Sequence, residues 1–233
     1  MRGSAPGRAK ALRHRDTDSR AEALRHRDTD RRSSGGTALE RCPDDPFVLF
    51  RRWFRDAEKA GEPLAEAMAL ATATRDGRPS VRMVLNRGVS KGGFVFYTNY
   101  NSRKAADIIG NPRAAAVFHW PRIERQLRIE GPVQKLTRRE SAEYFRTRPR
   151  ESRLSAWASP QSATISGRSF LEEEFARVEA RFGTGTIPCP PFWGGFRIVA
   201  NCIEFWQGQP YRLHDRLLFR RKGKIWVSER LAP

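Results

Sequence analysis

The sequence predicts an α+β fold in which many short antiparallel strands form a β-barrel or sandwich with peripheral helices. Three observations lead there. Short apolar and β-branched runs recur from about residue 67 to the C-terminus, broken by turn signals such as Asp76-Gly77 and Lys91-Gly92-Gly93. Helical three-and-four spacing is confined to a few segments beside those runs. The 233 residues are 39% hydrophobic and include 14 Phe and 6 Trp, enough for one sizeable core rather than two at roughly 150 residues per domain.

Taken in order, Phe47, Leu49, Phe50, Trp53, Phe54 and Ala57 recur at helical spacing, so an amphipathic helix is expected from Pro46 to about Ala60, stopping at Gly61. Ala67–Thr74 and Val81–Asn86 flank the Asp76-Gly77 turn as a hairpin, and Lys91-Gly92-Gly93 turns into a strand over Phe94–Tyr97. Ser102 is placed to cap a short helix over Arg103–Ile109, which Gly110-Asn111-Pro112 ends. Ala114–Trp120 and Gln126–Leu136 form a further strand pair. Thr137-x-x-Glu140 is a capping-box pattern opening a helix through Phe145, and another helix is expected over Ser169–Phe182. After the Pro-rich link Ile187–Pro191 come four more strands, at Gly195–Val199, Cys202–Trp206, Arg212–Arg220 and Lys224–Arg230.

Residues 1–41 are of a different kind. They hold almost no apolar residues, and the octet Ala-Leu-Arg-His-Arg-Asp-Thr-Asp occurs twice, at Ala11–Asp18 and Ala23–Asp30. A low-complexity basic leader, expected to be mobile, therefore precedes a single domain over residues 42–233. No run reaches the ~20 apolar residues of a membrane span and no secretory signal is legible, so a soluble cytoplasmic protein with no membrane partner is expected. Cys42, Cys189 and Cys202 form no Cys-x-x-Cys pair and read as ordinary thiols, not as a disulfide framework or zinc site.

The net charge of +18 implies an anionic partner, and only +5 of it lies in the leader. Nucleic acid, an acidic surface and phosphorylated small molecules all remain open on charge alone. Ser-His-Asp catalysis finds little support, because only His119 and His214 lie beyond the leader and no Gly-x-Ser-x-Gly elbow exists. Glycine-rich phosphate loops are also missing. Present instead are polar residues in segments of strand and helix character: Arg82 beside Met83-Val84-Leu85, Arg103-Lys104 at a helix start, Gln126 within a strand, Gln161-Ser162, and Arg212-Leu213-His214-Asp215-Arg216. Guanidinium forks, an ammonium, hydroxyls and helix N-terminal amides are the donors that hold a phosphate dianion. Any one of these arginines could equally be a solvent-facing strand position.

Nine strings in one order make the set recognisable: Arg82-Met83-Val84-Leu85, Phe96-Tyr97-Thr98-Asn99-Tyr100-x-Ser102-Arg103-Lys104, Glu124-Arg125-Gln126, Tyr144-Phe145-x-x-Arg148-Pro149-Arg150, Ala156-Trp157-Ala158-Ser159-x-Gln161-Ser162, Phe192-Trp193-Gly194-Gly195, Glu204-Phe205-Trp206-Gln207-Gly208, Arg212-Leu213-His214-Asp215-Arg216 and Glu229-Arg230-Leu231-Ala232-Pro233. Together they closely resemble the pyridoxamine 5'-phosphate oxidase family from about Pro46 to the C-terminus.

That resemblance implies an FMN-binding split β-barrel, Greek-key-like and antiparallel, working as a homodimer with flavin at the subunit interface. It carries flavin contacts onto Arg82, Met83, Val84, Leu85, Arg87, Tyr97, Thr98, Arg103, Lys104, Gln126, Gln161, Ser162, Trp206 and Arg216. Substrate phosphate contacts fall on Arg87, Tyr144, Arg148 and Ser152, and Arg212, Leu213 and His214 are placed against the substrate's pyridine ring, with Arg212 and His214 as catalytic residues. Tyr144 and Arg148, four apart, are expected to share a helix face aimed at one anion. The implied reaction oxidises phosphorylated vitamin B6, pyridoxamine or pyridoxine 5'-phosphate, to pyridoxal 5'-phosphate by hydride transfer to flavin, with molecular oxygen as final acceptor and hydrogen peroxide as product. Two departures stand out. Arg87 replaces the family's usual lysine, and Thr29-Asp30-Arg31-Arg32 stands where relatives carry a lid sequence. The alternatives are a related split-barrel flavin oxidoreductase acting on a secondary metabolite and, disfavoured, a non-enzymatic binder of nucleic acid.

Overall fold

The computed structural model describes Leu39 and residues 43–233; the remainder of the leader, with its repeated octet and Thr29–Arg32, and Cys42 lie outside the described residues. The chain runs α1 (Pro46–Lys59), β1 (Ala67–Ala73), β2 (Pro79–Leu85), β3 (Val89–Ser90), β4 (Gly93–Asn99), α2 (Arg103–Gly110), β5 (Arg113–Trp120) and β6 (Arg125–Lys135). It continues through α3 (Arg138–Thr147), α4 (Arg150–Ala158), α5 (Arg168–Phe182), β7 (Trp193–Val199), β8 (Cys202–Gln207), β9 (Asp215–Lys222) and β10 (Ile225–Leu231). The expected α+β antiparallel barrel is what forms: all pairings are antiparallel, in the order β10-β9-β8-β6-β5-β1-β2, with β7 on β6, β4 on β7 and β3 on β4. None of the described helices is long and apolar enough to cross a membrane.

The sheet divides at β6. Its first half pairs with β8 through Glu130, and its last three residues pair with β7 from Val133 onward. Between them lie Gly131 and Pro132. A Cβ on Gly131 would come within 2.1 Å of the Val199 carbonyl oxygen, so only glycine lets β7 cross here, and Pro132 brings no backbone N–H. Helix α1 plugs the curled sheet with its apolar stripe. Phe50 meets Phe94 edge-on at 4.9 Å, and Trp53 meets Phe205 at 5.1 Å. Trp53 is fully buried, so truncation to alanine would cost about 3–5 kcal/mol.

Local signals hold where they are strong. Asp45 caps α1 by accepting from the Phe47 N–H at 2.9 Å, and the Thr137–Glu140 capping box is complete. Ser102 occupies the N-cap of α2, but its hydroxyl donates to the Asn99 carbonyl at 2.7 Å instead of capping. Three expectations need correction. Helix α4 was not anticipated. Arg148 does not continue α3: it is the C-cap, extended at ψ 147°, because Pro149 clashes with a helical preceding residue. The last hairpin starts at Asp215 rather than Arg212. Pro210–Arg212 form a short 3-10 turn in which Tyr211 and Arg212 have φ of 59° and 62°, left-handed values that no strand accommodates.

Candidate functional site

The residues that the sequence singled out gather in three groups. The first lies where β2, β4 and the start of α2 meet. Arg82 donates to Thr72 Oγ1 at 2.7 Å and to the Leu70 carbonyl at 3.2 Å, with Asp107 of α2 at 3.8 Å. Lys104 donates to Thr98 Oγ1 at 3.2 Å and to Gln161 Oε1 at 3.0 Å, and Thr98 also donates to Gln161. Burial lowers the Lys104 pKa, and the Arg82 charge lowers it further. Burial likewise lowers that of Arg82; Asp107 opposes this and Arg103 adds to it. Arg82, Arg103 and Lys104 are thus crowded cations with Asp107 as nearby countercharge, and α2 contributes its positive end. Ser162 follows Gln161 in a turn at φ 74°. Met83 faces outward, 63% exposed, while Val84 and Leu85 continue β2.

The second group is built on stacked rings. Tyr97 of β4 lies 3.9 Å from Tyr144 of α3 and 5.4 Å from Trp193 of β7, all three nearly parallel. Gly195, paired with Tyr97, makes this possible: a Cβ there would sit 2.9 Å from the Tyr97 ring. Burial and the neighbouring Tyr144 push the Tyr97 pKa up to about 12. The Arg148 guanidinium sits 4.8 Å over Trp193. Burial lowers its pKa, Tyr144 opposing this and Arg87 adding to it. Its Nη1 is buried with no hydrogen-bond partner among the described residues. Tyr144 and Arg148 do not share a helix face as expected; they converge instead through Trp193. Arg87, in the loop after β2, pairs with Glu66 at 3.7 Å. Ser152 lies in the first turn of α4, just beyond Arg148.

The third group is a row across three strands. Gln126 pairs with Trp206, and Trp206 with Arg216. The His214 ring lies 4.6 Å from that of Trp206, and its Nδ1 accepts from the Gln209 N–H at 3.1 Å. Arg212 and Leu213 lie exposed on the preceding turn, with Leu213 at 70% exposure. No hydrogen bond, ion pair or ring contact joins this group to the other two among the described residues.

Register explains the separation. Arg82 pairs with Leu70, Leu70 with Ala116, Ala116 with Ile129, Ile129 with Ile203, and Ile203 with Phe219. Directly paired residues share a sheet face. Arg82 therefore belongs to the inner face, with the buried Leu70, Ile129 and Ile203. Gln126, Trp206 and Arg216 differ in parity and lie on the outer face. One chain does not turn both faces toward one small ligand.

The implied flavin nucleotide fits this donor set, with cations, hydroxyl and amide for a phosphate in the first group and the Gln126–Trp206–Arg216 row for the remainder of the cofactor in the third. Sequence reasoning missed Asp107 and Glu204, the buried carboxylates beside Arg82 and Arg216. Their signal was an acid in an otherwise apolar stretch of helix or strand.

Comparisons with known proteins agree in kind. Residues 54–182 match the family model described as pyridoxamine 5'-phosphate oxidase, and residues 193–233 match that of the pyridoxine 5'-phosphate oxidase C-terminal dimerisation region. The chain is 50% identical over 200 residues to pyridoxine/pyridoxamine 5'-phosphate oxidase of Pseudomonas paraeruginosa, covering 85% of this chain and 93% of that protein. It is 51% identical over 189 residues to the protein of the same name from Gluconobacter oxydans, covering 81% and 94%. Among solved structures, PhzG from Burkholderia lata 383, in complex with tetrahydrophenazine-1-carboxylic acid, superposes with a TM-score of 0.81 at 29% identity, covering 86% of this chain and 98% of that one. An FMN-binding protein from Nostoc punctiforme, related to pyridoxamine 5'-phosphate oxidase, shares the fold with a TM-score of 0.66 at 19% identity, covering 82% and 100%.

Proposed function

We propose that this chain, which belongs to the pyridoxamine 5'-phosphate oxidase family, is an FMN-dependent oxidase that converts pyridoxamine or pyridoxine 5'-phosphate to pyridoxal 5'-phosphate. The observation that supports this most is the Arg148 guanidinium of the second group. Arg148 keeps a buried, unpartnered N–H beside the charge of Arg87, the Tyr144 ring and the N-terminus of α4. A buried guanidinium donor left unpaired costs about 1–3 kcal/mol or more, a cost that a phosphate dianion offsets.

Bound FMN would supply a two-electron acceptor for a hydride from the substrate's 4' carbon: the alcohol gives the aldehyde directly, the amine gives an imine that water hydrolyses to the aldehyde and ammonia, and molecular oxygen takes the electrons as hydrogen peroxide. On this reading Arg82, Arg103, Lys104, Thr98 and Gln161 hold the cofactor phosphate, and Arg148, Tyr144, Arg87 and Ser152 hold that of the substrate. The bond from the Gln209 N–H to His214 Nδ1 leaves the proton of the neutral imidazole on Nε2, where it can face the substrate ring with Arg212. Trp206 keeps the His214 ring in place.

The opposite-face placement of Arg82 and the Gln126–Trp206–Arg216 row supports a homodimer, in which one protomer offers its inner-face group and its partner the outer row. Val81 and Met83, 70% and 63% exposed on β2, add apolar surface on the outer side.

The experiment is to release the chromophore of the purified protein by heat, identify it, and follow oxygen uptake and pyridoxal 5'-phosphate formation from each vitamer. A protein that takes up no FMN, or oxidises neither phosphorylated vitamer, overturns the proposal. The resemblance to PhzG favours a second reading, oxidation of a reduced tricyclic carboxylic acid, and turnover of tetrahydrophenazine-1-carboxylic acid in place of the vitamers would establish it.

A further inference from the structure

The row beside Gln126, Trp206 and Arg216 on the outer face consists of Arg128, Glu204 and Leu218, paired across the same three strands. Its centre is unusual. Glu204 is a carboxylate only 6% exposed, in the strand Cys202-Ile203-Glu204-Phe205-Trp206. Its two oxygens are divided between two guanidinium groups. Oε1 accepts from Arg216 Nε at 2.8 Å, and Oε2 accepts from Arg128 Nη1 at 3.1 Å. Arg128 is braced in turn by Glu130, at 3.0 Å from its Nη2. The C-terminal tail provides a second hold on Arg216, whose Nη1 donates to the Ala232 carbonyl at 2.8 Å. Neither hold uses Nη2.

Burying a carboxylate is costly, and an apolar residue of similar size often serves stability as well or better. A carboxylate beside a site for an anionic nucleotide also works against the ligand, unless its charge is consumed in aiming a cation. Both objections disappear if aiming is its task. Arginine has several rotatable bonds, and ordering such a side chain on binding costs ~0.5–1.5 kcal/mol. Fixing Nε and Nη1 in advance removes most of that freedom and leaves Nη2 preset.

We infer that Glu204 is a positioning residue of the cofactor site: together with the Ala232 carbonyl it holds the Arg216 guanidinium ready for the flavin. The inference rests on the reading above that Arg216 contacts FMN.

The test is a thermodynamic cycle on the full-length protein, stripped of cofactor and titrated with FMN while flavin fluorescence is followed. Glu204→Gln raises the Kd for FMN about tenfold, the scale of one charge-assisted contact. Removal of Ala232 and Pro233 raises it severalfold, and Arg216→Gln raises it at least as far as Glu204→Gln. In the Arg216→Gln background neither further change has an effect, because there is no guanidinium left to aim. Additive effects there, or wild-type affinity in Glu204→Gln, overturn the inference and leave the oxidase reading intact. Wild-type affinity in Arg216→Gln also overturns it, while a wild-type protein that takes up no FMN overturns both. If Glu204→Gln fails to fold, Glu204→Asp, which keeps the charge but shortens its reach to Arg216, takes its place in the same cycle, and wild-type FMN affinity in that variant overturns the inference.

Discussion

Tyr97 and Tyr144 lie face to face, with ring centroids 3.9 Å and planes 14° apart, so β4 and α3 share one wall between the proposed cofactor and substrate sites. Tyr144→Phe preserves the stack and removes only the hydroxyl; Tyr144→Ala removes both. Tyr144→Phe is expected to raise KM for the phosphorylated vitamers severalfold with unchanged FMN affinity. Tyr144→Ala should in addition loosen FMN, since an aromatic pair contributes about 0.5–1.5 kcal/mol. Equal FMN affinity in both variants would mean that the stack does not couple the two sites.

Arg148→Ala tests the proposed contact with the substrate phosphate. Losing a charge-assisted clamp of about 2–4 kcal/mol lowers kcat/KM for phosphorylated vitamers about thirty- to a thousandfold, while the protein stays yellow. Turnover of unphosphorylated pyridoxine, poor from the start, should hardly change. Loss of colour, or an equal loss on both substrates, would remove Arg148 from the substrate site.

Lys104 carries a charge that burial and Arg82 both disfavour. Lys104→Met is therefore expected to leave the cofactor-free protein at least as thermostable as wild type while weakening FMN binding about ten- to a hundredfold. Thermal melting without cofactor and FMN titration check this together. A destabilised apoprotein with normal FMN affinity would show a structural role instead.

Glu140 closes the capping box of α3, and its hydrogen bonds to the Thr137 backbone and side chain hold its pKa down at about 2, below the ordinary 4.5. A carboxylate depressed in the folded state stabilises the fold above its ordinary value and loses that contribution as pH falls through the folded one. The Tm difference between wild type and Glu140→Gln should thus be present at pH 6 and shrink between about 4.5 and 2. Calorimetry across that range is the check, and a difference that grows on acidification would refute the assignment.

Much of this was legible in the residues. The period of Phe47, Phe50, Trp53 and Ala57 marks α1, Asp76-Gly77 marks the first hairpin, and Thr137-x-x-Glu140 marks the start of α3, because each signal acts within a few residues of itself. The extended Arg148 was legible too, in the Pro149 that follows it, but helical spacing to Tyr144 obscured it. The left-handed Tyr211 and Arg212 were not, since neither residue type asks for that conformation and only the packed turn imposes it.

By itself the sequence determined the kind of elements, their order and the chemistry available: antiparallel strands, a few capped helices, and arginines, a lysine and hydroxyls suited to phosphate. Tertiary structure alone decided which of these meet. Arg82 and Arg216 look alike as cations in strands, yet strand register puts one on the inner face and the other on the outer. Glu204 is one acid among 26 Asp and Glu until β6, β8 and β9 align and close on it. The reason is physical: element type depends on short-range sterics and periodicity, whereas a site depends on pairings between segments far apart in the chain, which only the folded sheet brings into register.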